Sequence, residues 1–155
     1  MFRYAYLHGL ASSPGAFKAI CLAEAFARHG VSLARPDLNA PSFARLACTA
    51  MLGVLDAMDA AAGPEVRWRF IGSSLGGYLA ALWCQRNPGR CESLVLLCPG
   101  FGLHDRWASL VGADGLESWR QEGELPIPDA TGRQVPVHFG LVEDLERYPR
   151  VPEVD

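Results

Sequence analysis

At the middle of the chain stands the run Phe70-Ile71-Gly72-Ser73-Ser74-Leu75-Gly76-Gly77-Tyr78. Its G-x-S-x-G spacing places Ser74 between Gly72 and Gly76. A serine hydroxyl is a weak nucleophile, and enzymes that use one expose it at a sharp turn between a strand and a helix, where a base can take its proton. Glycines beside such a turn avoid collisions with the adjoining elements. The pattern predicts a nucleophile elbow with Ser74 as the nucleophile.

The residues around this run have the periodicity that an elbow requires. Residues 66–69 alternate between apolar and charged side chains, and residues 70 and 71 are both apolar. This pattern is typical of a strand entering a buried sheet. From Tyr78 onward, large apolar residues recur at helical spacing until Asn87-Pro88-Gly89 ends the repeat. The alternative is a glycine-rich turn whose serine caps a helix.

The rest of the first hundred residues alternates strand and helix. Strands are predicted at residues 2–7, 31–35 and 93–98, and helices at 15–29 and from about 42 to 62. Repeating βαβ units of this kind predict an α/β fold with a parallel sheet flanked by helices. We treat residues 1–155 as a single domain.

Beyond Pro99 the pattern changes. Residues 99–134 are loop-rich with short helical patches, and we expect them to form a small cap or a surface excursion. Trp107 and Trp119 in this segment either pack against the sheet or line an acyl pocket. Residues 135–139 read as an edge strand or an extended arm, because Pro136 cannot donate to a central ladder.

Composition excludes several classes of partner. The 155 residues are 50% hydrophobic and 20% charged, which suits one compact domain. Fourteen Lys and Arg against 17 Asp and Glu give a net charge of −3 without a basic stripe, so nucleic acid is not an expected partner. No apolar run reaches the length of a membrane helix, and none resembles a signal peptide. We expect a cytoplasmic protein without a membrane partner, and leave a homo-oligomer open.

The five cysteines are odd in number and contain no C-x-x-C pair. Because most of them stand in apolar stretches, we expect reduced thiols in the core. They are Cys21, Cys48, Cys84, Cys91 and Cys98.

A second loop supplies candidate groups for an oxyanion hole. Such a hole is usually formed by the N–H of the residue after the nucleophile together with an N–H from a loop that follows an earlier strand. The segment from His8 to Pro14 follows the first predicted strand. Leu75 and Leu10 would donate, and Gly9 would allow a close backbone approach. Taken by itself, His8-Gly9 favours a simple turn, and the Ser74 motif is what favours the oxyanion loop.

These residues resemble those of small bacterial α/β-hydrolases of the YqiA-like esterase family. The resemblance is specific over most of the first hundred residues and weak beyond Gly102. It implies a hydrolase of acyl esters or thioesters, in which Ser74 attacks the carbonyl carbon, His8 and Gly9 shape the oxyanion loop, and no cofactor is needed. The motifs that carry it are Tyr6-Leu7-His8-Gly9, Ser12-Ser13-Pro14, Lys18-Ala19, Pro36-Asp37-Leu38 and Gly72 to Tyr78.

The other two members of a catalytic triad are not evident. In this fold the acid and then the histidine follow the serine along the chain. After Ser74 the histidines are His104, in a loop, and His138, in a strand-like run, and we assign neither as the base. We expect the carboxylates nearby to be solvated, and the hydrolase fold to be incomplete at its C-terminal end, so the acid and base are left unknown. Those carboxylates are Asp105, Glu143 and Asp144.

Two readings compete with an esterase. One is a non-catalytic module of the same fold that binds a ligand or a partner in its cleft. The other is a dinucleotide-binding domain, but the glycines from Gly72 to Gly77 do not have the G-x-G-x-x-G spacing, and the chain has no G-K-[ST] phosphate loop. The sequence therefore favours a serine hydrolase over both.

Overall fold

A computed structural model of the protein describes residues 1–154. Its main sheet has four parallel strands in the spatial order β2-β1-β3-β4. Helices connect and flank these strands, so the predicted α/β fold with a parallel sheet is confirmed. The strands are β1 (Phe2–Leu7), β2 (Leu33–Ala34), β3 (Arg67–Ser73) and β4 (Cys91–Leu97), and the first three helices are α1 (Phe17–Ala27), α2 (Cys48–Ala62) and α3 (Leu75–Arg86).

The alternation of side chains along the strands divides the core between the two faces of the sheet. On one face Tyr6 packs with Ala19 of α1 and Leu33. On the other face the strands pack against α2 and α3, whose apolar residues form most of the core. Helix α3 is buried on nearly every side, which fixes the helix that follows the elbow. Its buried residues run from Leu75 to Cys84.

The strand order places a crevice beside β1. The chain leaves β1 toward β2 on one side and later returns to β3 on the other. At such a switch point, the loops at the carboxyl ends of neighbouring strands diverge and leave room for a ligand. The loop after Leu7 and the turn after Ser73 meet there, because Leu7 pairs with Gly72 in the sheet.

The chain after β4 forms a separate layer. Strands β5 and β6 pair only with each other, as an antiparallel hairpin in which Pro126 faces Pro136. The predicted strand at 135–139 exists, and it belongs to this hairpin and not to the main sheet. The elements are a short 3₁₀ turn (Leu103–Asp105), α4 (Trp107–Val111), α5 (Ala113–Glu122), β5 (Glu124–Pro128), β6 (Gln134–His138) and α6 (Gly140–Leu145).

Two predicted boundaries were wrong. Helix α2 begins at Cys48 and not near Ser42, because Leu46 and Ala47 are extended (ψ 136° and 133°) after a 3₁₀ turn at Phe43–Arg45. Strand β2 has two residues in place of the predicted five. No helix among residues 1–154 is both long and apolar enough to cross a bilayer.

Asp144 was expected to be solvated, and this is wrong. Its side chain is buried against the start of α2, where Oδ2 accepts the N–H of Thr49 at 2.7 Å and Oδ1 accepts the Thr49 hydroxyl at 2.8 Å. The first N–H groups of a helix have no partner within the helix, so this carboxylate caps α2 from a distant part of the chain. Arg147 lies 3.3 Å from the same carboxylate.

We expect Asp144→Ala to lower the free energy of unfolding by about 1–2 kcal/mol, since the Thr49 N–H loses its acceptor at a partly buried helix end. Urea unfolding followed by circular dichroism measures this. The matched control is Glu143→Ala, which removes the neighbouring exposed carboxylate and should change the value by less than about 0.5 kcal/mol. Equal effects of the two changes would contradict the capping role.

Candidate active site

Ser74 lies at the turn between β3 and α3 in a strained backbone conformation. Its φ of 52° and ψ of −121° are uncommon for a residue with a side chain. Strain of this kind costs about 1–3 kcal/mol and persists only where the surroundings impose it. The Ser74 carbonyl accepts the N–H groups of Gly77, Tyr78 and Gly100, which hold the turn in place. The result is an exposed hydroxyl at the carboxyl edge of the sheet.

The two flanking glycines stand where no side chain fits. A Cβ added to Gly76 would collide with the backbone oxygens of Leu7 and His8, and one added to Gly72 would lie 2.5 Å from the Cα of Gly77. Helix α3 therefore starts in direct backbone contact with β1 and β3. This close packing is the mechanical role that the motif predicts for its glycines.

The loop after β1 packs directly against Ser74. A Cβ on Gly9 would lie 3.1 Å from the Ser74 Cβ and 3.7 Å from its Oγ, so the backbone of the loop packs closely against the serine. Leu10 and Leu75 border one small cavity of about 10 Å³, space for about one water-sized group. Within residues 1–154, neither N–H donates to a protein acceptor. Two N–H groups without a protein acceptor thus lie close in the chain to Ser74 and to Gly9, one of them at the N-terminus of α3.

His8 holds this loop and does not act on Ser74. Its Nε2 accepts the N–H of Leu38 at 3.0 Å, so its proton is on Nδ1, which donates to the Gly9 carbonyl at 3.0 Å. The ring is 2% exposed. With both nitrogens used, His8 ties the oxyanion loop to the segment after β2 and is a positioning residue. The sequence placed His8 in this loop without indicating the Leu38 contact.

Ser74 opens onto a cleft of about 400 Å³. On one side the cleft is formed by the ends of β3 and β4, and on the other by the start of α1 and the 3₁₀ turn with α4. Its lining residues are Lys18, Ser73, Ser74, Leu97, Cys98, Pro99, Gly100, Leu103, Arg106 and Leu110. Leu110 also borders a second pocket of about 430 Å³, which is lined mainly by apolar residues of α4 and β5 together with Leu10.

A family model described as the uncharacterised protein family UPF0227 matches residues 3–136 of this chain. The chain belongs to UPF0227. This confirms the predicted resemblance to YqiA-like hydrolases. No protein with a curated assignment matches the chain at a significant level.

Solved structures with a similar fold are α/β-hydrolases and esterases. Est1E from Butyrivibrio proteoclasticus, with ferulic acid bound, is 18% identical with a TM-score of 0.73, over 97% of this chain and 62% of that one. Mouse α/β hydrolase domain-containing protein 10 is 17% identical with a TM-score of 0.71, over 94% and 61%. An extracellular α/β-hydrolase from a Paenibacillus species is 16% identical with a TM-score of 0.63, over 83% and 56%. The UPF0227 chain thus spans about three fifths of the length of these relatives.

Neither later histidine of the UPF0227 chain contacts Ser74. His104 is 7% exposed, and its Nε2 bonds the Leu145 carbonyl at 2.9 Å. His138 accepts the N–H of Gly140 through Nδ1 at 3.0 Å. Asp105 pairs with Arg150, and that hydrogen bond lowers the pKa of the Asp105 carboxyl. Among residues 1–154, no side chain is hydrogen-bonded to the Ser74 hydroxyl, and no group of His, Cys, Asp and Glu could hold a metal ion.

The hydroxyl of the neighbouring serine is held by other groups. Lys18 donates from Nζ to the Ser73 Oγ at 3.1 Å. Burial raises the pKa of the Tyr6 phenol, and a hydrogen bond with Ser73 lowers it in part. Ser73 thus links Tyr6 and Lys18 while Ser74 is left free, which distinguishes the two serines of the motif.

The two tryptophans after β4 both belong to the core and differ in whether they border a pocket. Trp107 is 2% exposed and borders the apolar pocket beside the cleft. Trp119 is fully buried and donates from Nε1 to the Val137 carbonyl at 2.7 Å. Their rings pack edge to face, 5.5 Å apart. Trp119 is therefore a packing residue beneath the one that lines the pocket.

The expectation of five reduced core thiols was wrong. Cys84 at the end of α3 and Cys91 at the start of β4 form a disulfide with a Cα–Cα distance of 5.4 Å. Cys21 and Cys98 are exposed, and Cys98 lines the cleft beside Ser74. Cys48 alone is a buried free thiol among the described residues. The spacing of seven residues carried no signal for the disulfide.

We expect the free cysteines to differ in reactivity. Burial, followed by the charge of Asp144, raises the pKa of the Cys48 thiol to about 12, so at pH 8 it stays protonated and unreactive. In the native protein, iodoacetamide at pH 8 should alkylate Cys21 and Cys98 and leave Cys48 unmodified, as read by peptide mass spectrometry. Urea should expose Cys48 to the reagent. Rapid alkylation of Cys48 in the folded protein would contradict its placement in the core.

Proposed function

We propose that this protein is a serine hydrolase that cleaves carboxylic esters or thioesters through an acyl-enzyme at Ser74. The observation that carries the proposal is the exposed, strained Ser74 at the carboxyl edge of a parallel sheet, with Gly9 packed against it. The hydrolase fold and the esterases among the structural neighbours support the reaction class. The substrate class and the mechanism are our inference.

In the proposed reaction, the Ser74 Oγ forms a bond to the substrate carbonyl carbon while a base takes its proton. The carbonyl oxygen becomes an oxyanion, and the N–H groups of Leu10 and Leu75 would stabilise it. The C–O or C–S bond then breaks, and the alcohol or thiol leaves with the proton. Water attacks the acyl-enzyme, releases the acid and restores the serine. The chemistry needs no cofactor.

The proton acceptor is the unassigned part of this scheme. Both nitrogens of His8 are engaged, and His104 and His138 bond other groups. We propose that the base and its acid come from residues outside those described, or from another chain. In the hydrolase order, acid and histidine both follow the serine, at positions after later strands.

A non-catalytic binding module is the second candidate. The observation that favours it is the Ser74 hydroxyl, which has no hydrogen-bonded base within residues 1–154. Such a module would use the same cleft for a ligand and would not depend on the Ser74 hydroxyl.

A fluorophosphonate probe tests the proposal, because it reacts covalently only with an activated serine. The probe is added to protein expressed from the complete gene, and peptide fragmentation locates the adduct. We expect one adduct, on Ser74 and not on Ser73, and its loss after heat unfolding. A folded protein that takes up no probe, and cleaves no short-chain p-nitrophenyl ester, would reject the hydrolase and favour the binding module.

A further inference from the structure

The cleft beside Ser74 has an unusual charge. Two of its lining residues, Lys18 and Arg106, carry a positive charge, and no carboxylate among residues 1–154 lines it. The chain as a whole has a net charge of −3. The positive charge of the cleft lining is therefore opposite in sign to the net charge of the chain. Resting on the proposed hydrolase function, we propose that the substrate is an ester bearing an anionic group, a carboxylate or a phosphate, which Lys18 and Arg106 bind beside the scissile bond.

Lys18 lies beside the serine that precedes Ser74 in the chain. It lies in the first turn of α1, and its Nζ reaches the hydroxyl of Ser73, next to the nucleophile in the chain. Within residues 1–154, no carboxylate lies at ion-pair distance from this ammonium. An ammonium has three donors, and Ser73 uses one. Two donors therefore remain for an anion in the cleft.

Arg106 lines the same side of the cleft, in the segment between the 3₁₀ turn and α4. The carboxylate beside it in the chain, Asp105, is taken by a two-pronged pair with Arg150, at 2.8 and 2.9 Å. In the described part of the chain, Arg106 forms no ion pair, whereas Arg67 pairs with Glu92 at 2.9 Å. A free guanidinium presents a planar fork that matches a carboxylate or a phosphate.

The neighbouring pocket specifies the other half of the substrate. It shares the lining residue Leu110 with the cleft, and it is also lined by Leu10, in the loop after β1. Its lining from β5 is the apolar run Leu125-Pro126-Ile127-Pro128. The substrate is thus amphiphilic, with a charged end toward Lys18 and Arg106 and a hydrocarbon end toward α4 and β5.

The turnover test compares two matched pairs of esters on protein expressed from the complete gene. The carboxylate pair is mono-p-nitrophenyl glutarate against neutral p-nitrophenyl pentanoate. The phosphate pair is 2-(pentanoyloxy)ethyl phosphate against neutral ethyl pentanoate. For this pair, hydrolysis is measured as the release of pentanoic acid. We expect the anionic member of at least one pair to have the higher kcat/KM, and which pair responds identifies the anion.

Three variants locate the effect. Lys18→Met and Arg106→Met should each lower the anionic-to-neutral ratio of kcat/KM by about fivefold, the scale of one exposed charge pair. Arg28→Met, which removes an exposed cation ten residues further along the chain, should leave the ratio unchanged. Raising the salt from 0.05 to 0.5 M should lower the ratio, because it screens exposed charges. The proposal would be overturned if Lys18→Met and Arg106→Met left the anionic-to-neutral ratio of kcat/KM unchanged. It would also be overturned if Arg28→Met lowered that ratio as much as they do.

A binding measurement separates this proposal from the hydrolase itself. Calorimetric titration of Ser74→Ala with monoethyl glutarate, and with 2-(pentanoyloxy)ethyl phosphate, reports anion binding without turnover. Adding Lys18→Met to this Ser74→Ala protein should weaken the binding of the anion, whereas adding Arg28→Met should leave it unchanged. Anion binding without turnover would retain the site and reject the hydrolase. Turnover of neutral esters without a preference for anionic ones would retain the hydrolase and reject the anion site.

Discussion

Ser74→Ala is expected to lower kcat for ester hydrolysis by about 10⁴-fold or more, because removing the nucleophile of a serine hydrolase leaves only the oxyanion donors and substrate binding. The measurement is hydrolysis of p-nitrophenyl butyrate by protein expressed from the complete gene. Ser74 is exposed and its hydroxyl has no protein partner within residues 1–154, so the free energy of unfolding should stay within about 0.5 kcal/mol of the unmodified protein.

The matched control is Ser73→Ala, one residue earlier. Ser73 shares the motif and the cleft, but its hydroxyl is bonded by Lys18. We expect this variant to keep turnover within about tenfold and to retain fluorophosphonate labelling at residue 74. If Ser73→Ala abolishes turnover while Ser74→Ala does not, the nucleophile has been assigned to the wrong serine.

The elbow and its neighbouring elements could be predicted because their signals are local. The boundaries of β1 follow from a short, largely apolar run that ends at His8-Gly9, and those of β3 and α3 from the change of period on either side of Ser74. The approach of Gly9 to Ser74 followed from topology, since two neighbouring parallel strands end at the same edge.

The features that the sequence did not predict depend on contacts between distant residues. The bond between Thr49 and Asp144 joins residues 95 apart in the chain, and no local pattern identifies such a pair. The hairpin partner of residues 135–139 was missed because a proline-containing β5 has weak strand propensity. The Cys84–Cys91 disulfide was missed because cysteine spacing alone does not give the geometry at the end of α3.

The elbow explains how the sheet and the site depend on one another. The strain at Ser74 is maintained by backbone hydrogen bonds to Gly77 and Gly100 and by the packing of α3 on β1. That packing requires Gly76 to remain without a side chain. Added volume at Gly76 would therefore disturb both the packing of α3 on β1 and the turn that holds Ser74.

We expect Gly76→Ala to lower the free energy of unfolding by about 3 kcal/mol or more, because the added methyl meets the backbone oxygens of Leu7 and His8 and not a flexible side chain. Backbone of a central strand cannot yield without shifting the sheet. Urea unfolding gives the change in stability. Because the same shift moves α3, the Ser74 turn and the Leu75 N–H, fluorophosphonate labelling should also fall in whatever fraction remains folded.

Gly53→Ala is the matched control. Gly53 lies within α2, is exposed, and a Cβ there meets no atom within 4 Å. Alanine is the better helix former, so this change should raise the free energy of unfolding by about 0.5–1 kcal/mol. Both substitutions add one methyl group to a glycine, and their expected effects on the free energy of unfolding have opposite signs. A mild effect at Gly76, comparable to that at Gly53, would mean that α3 does not pack on β1 as closely as the structure has it.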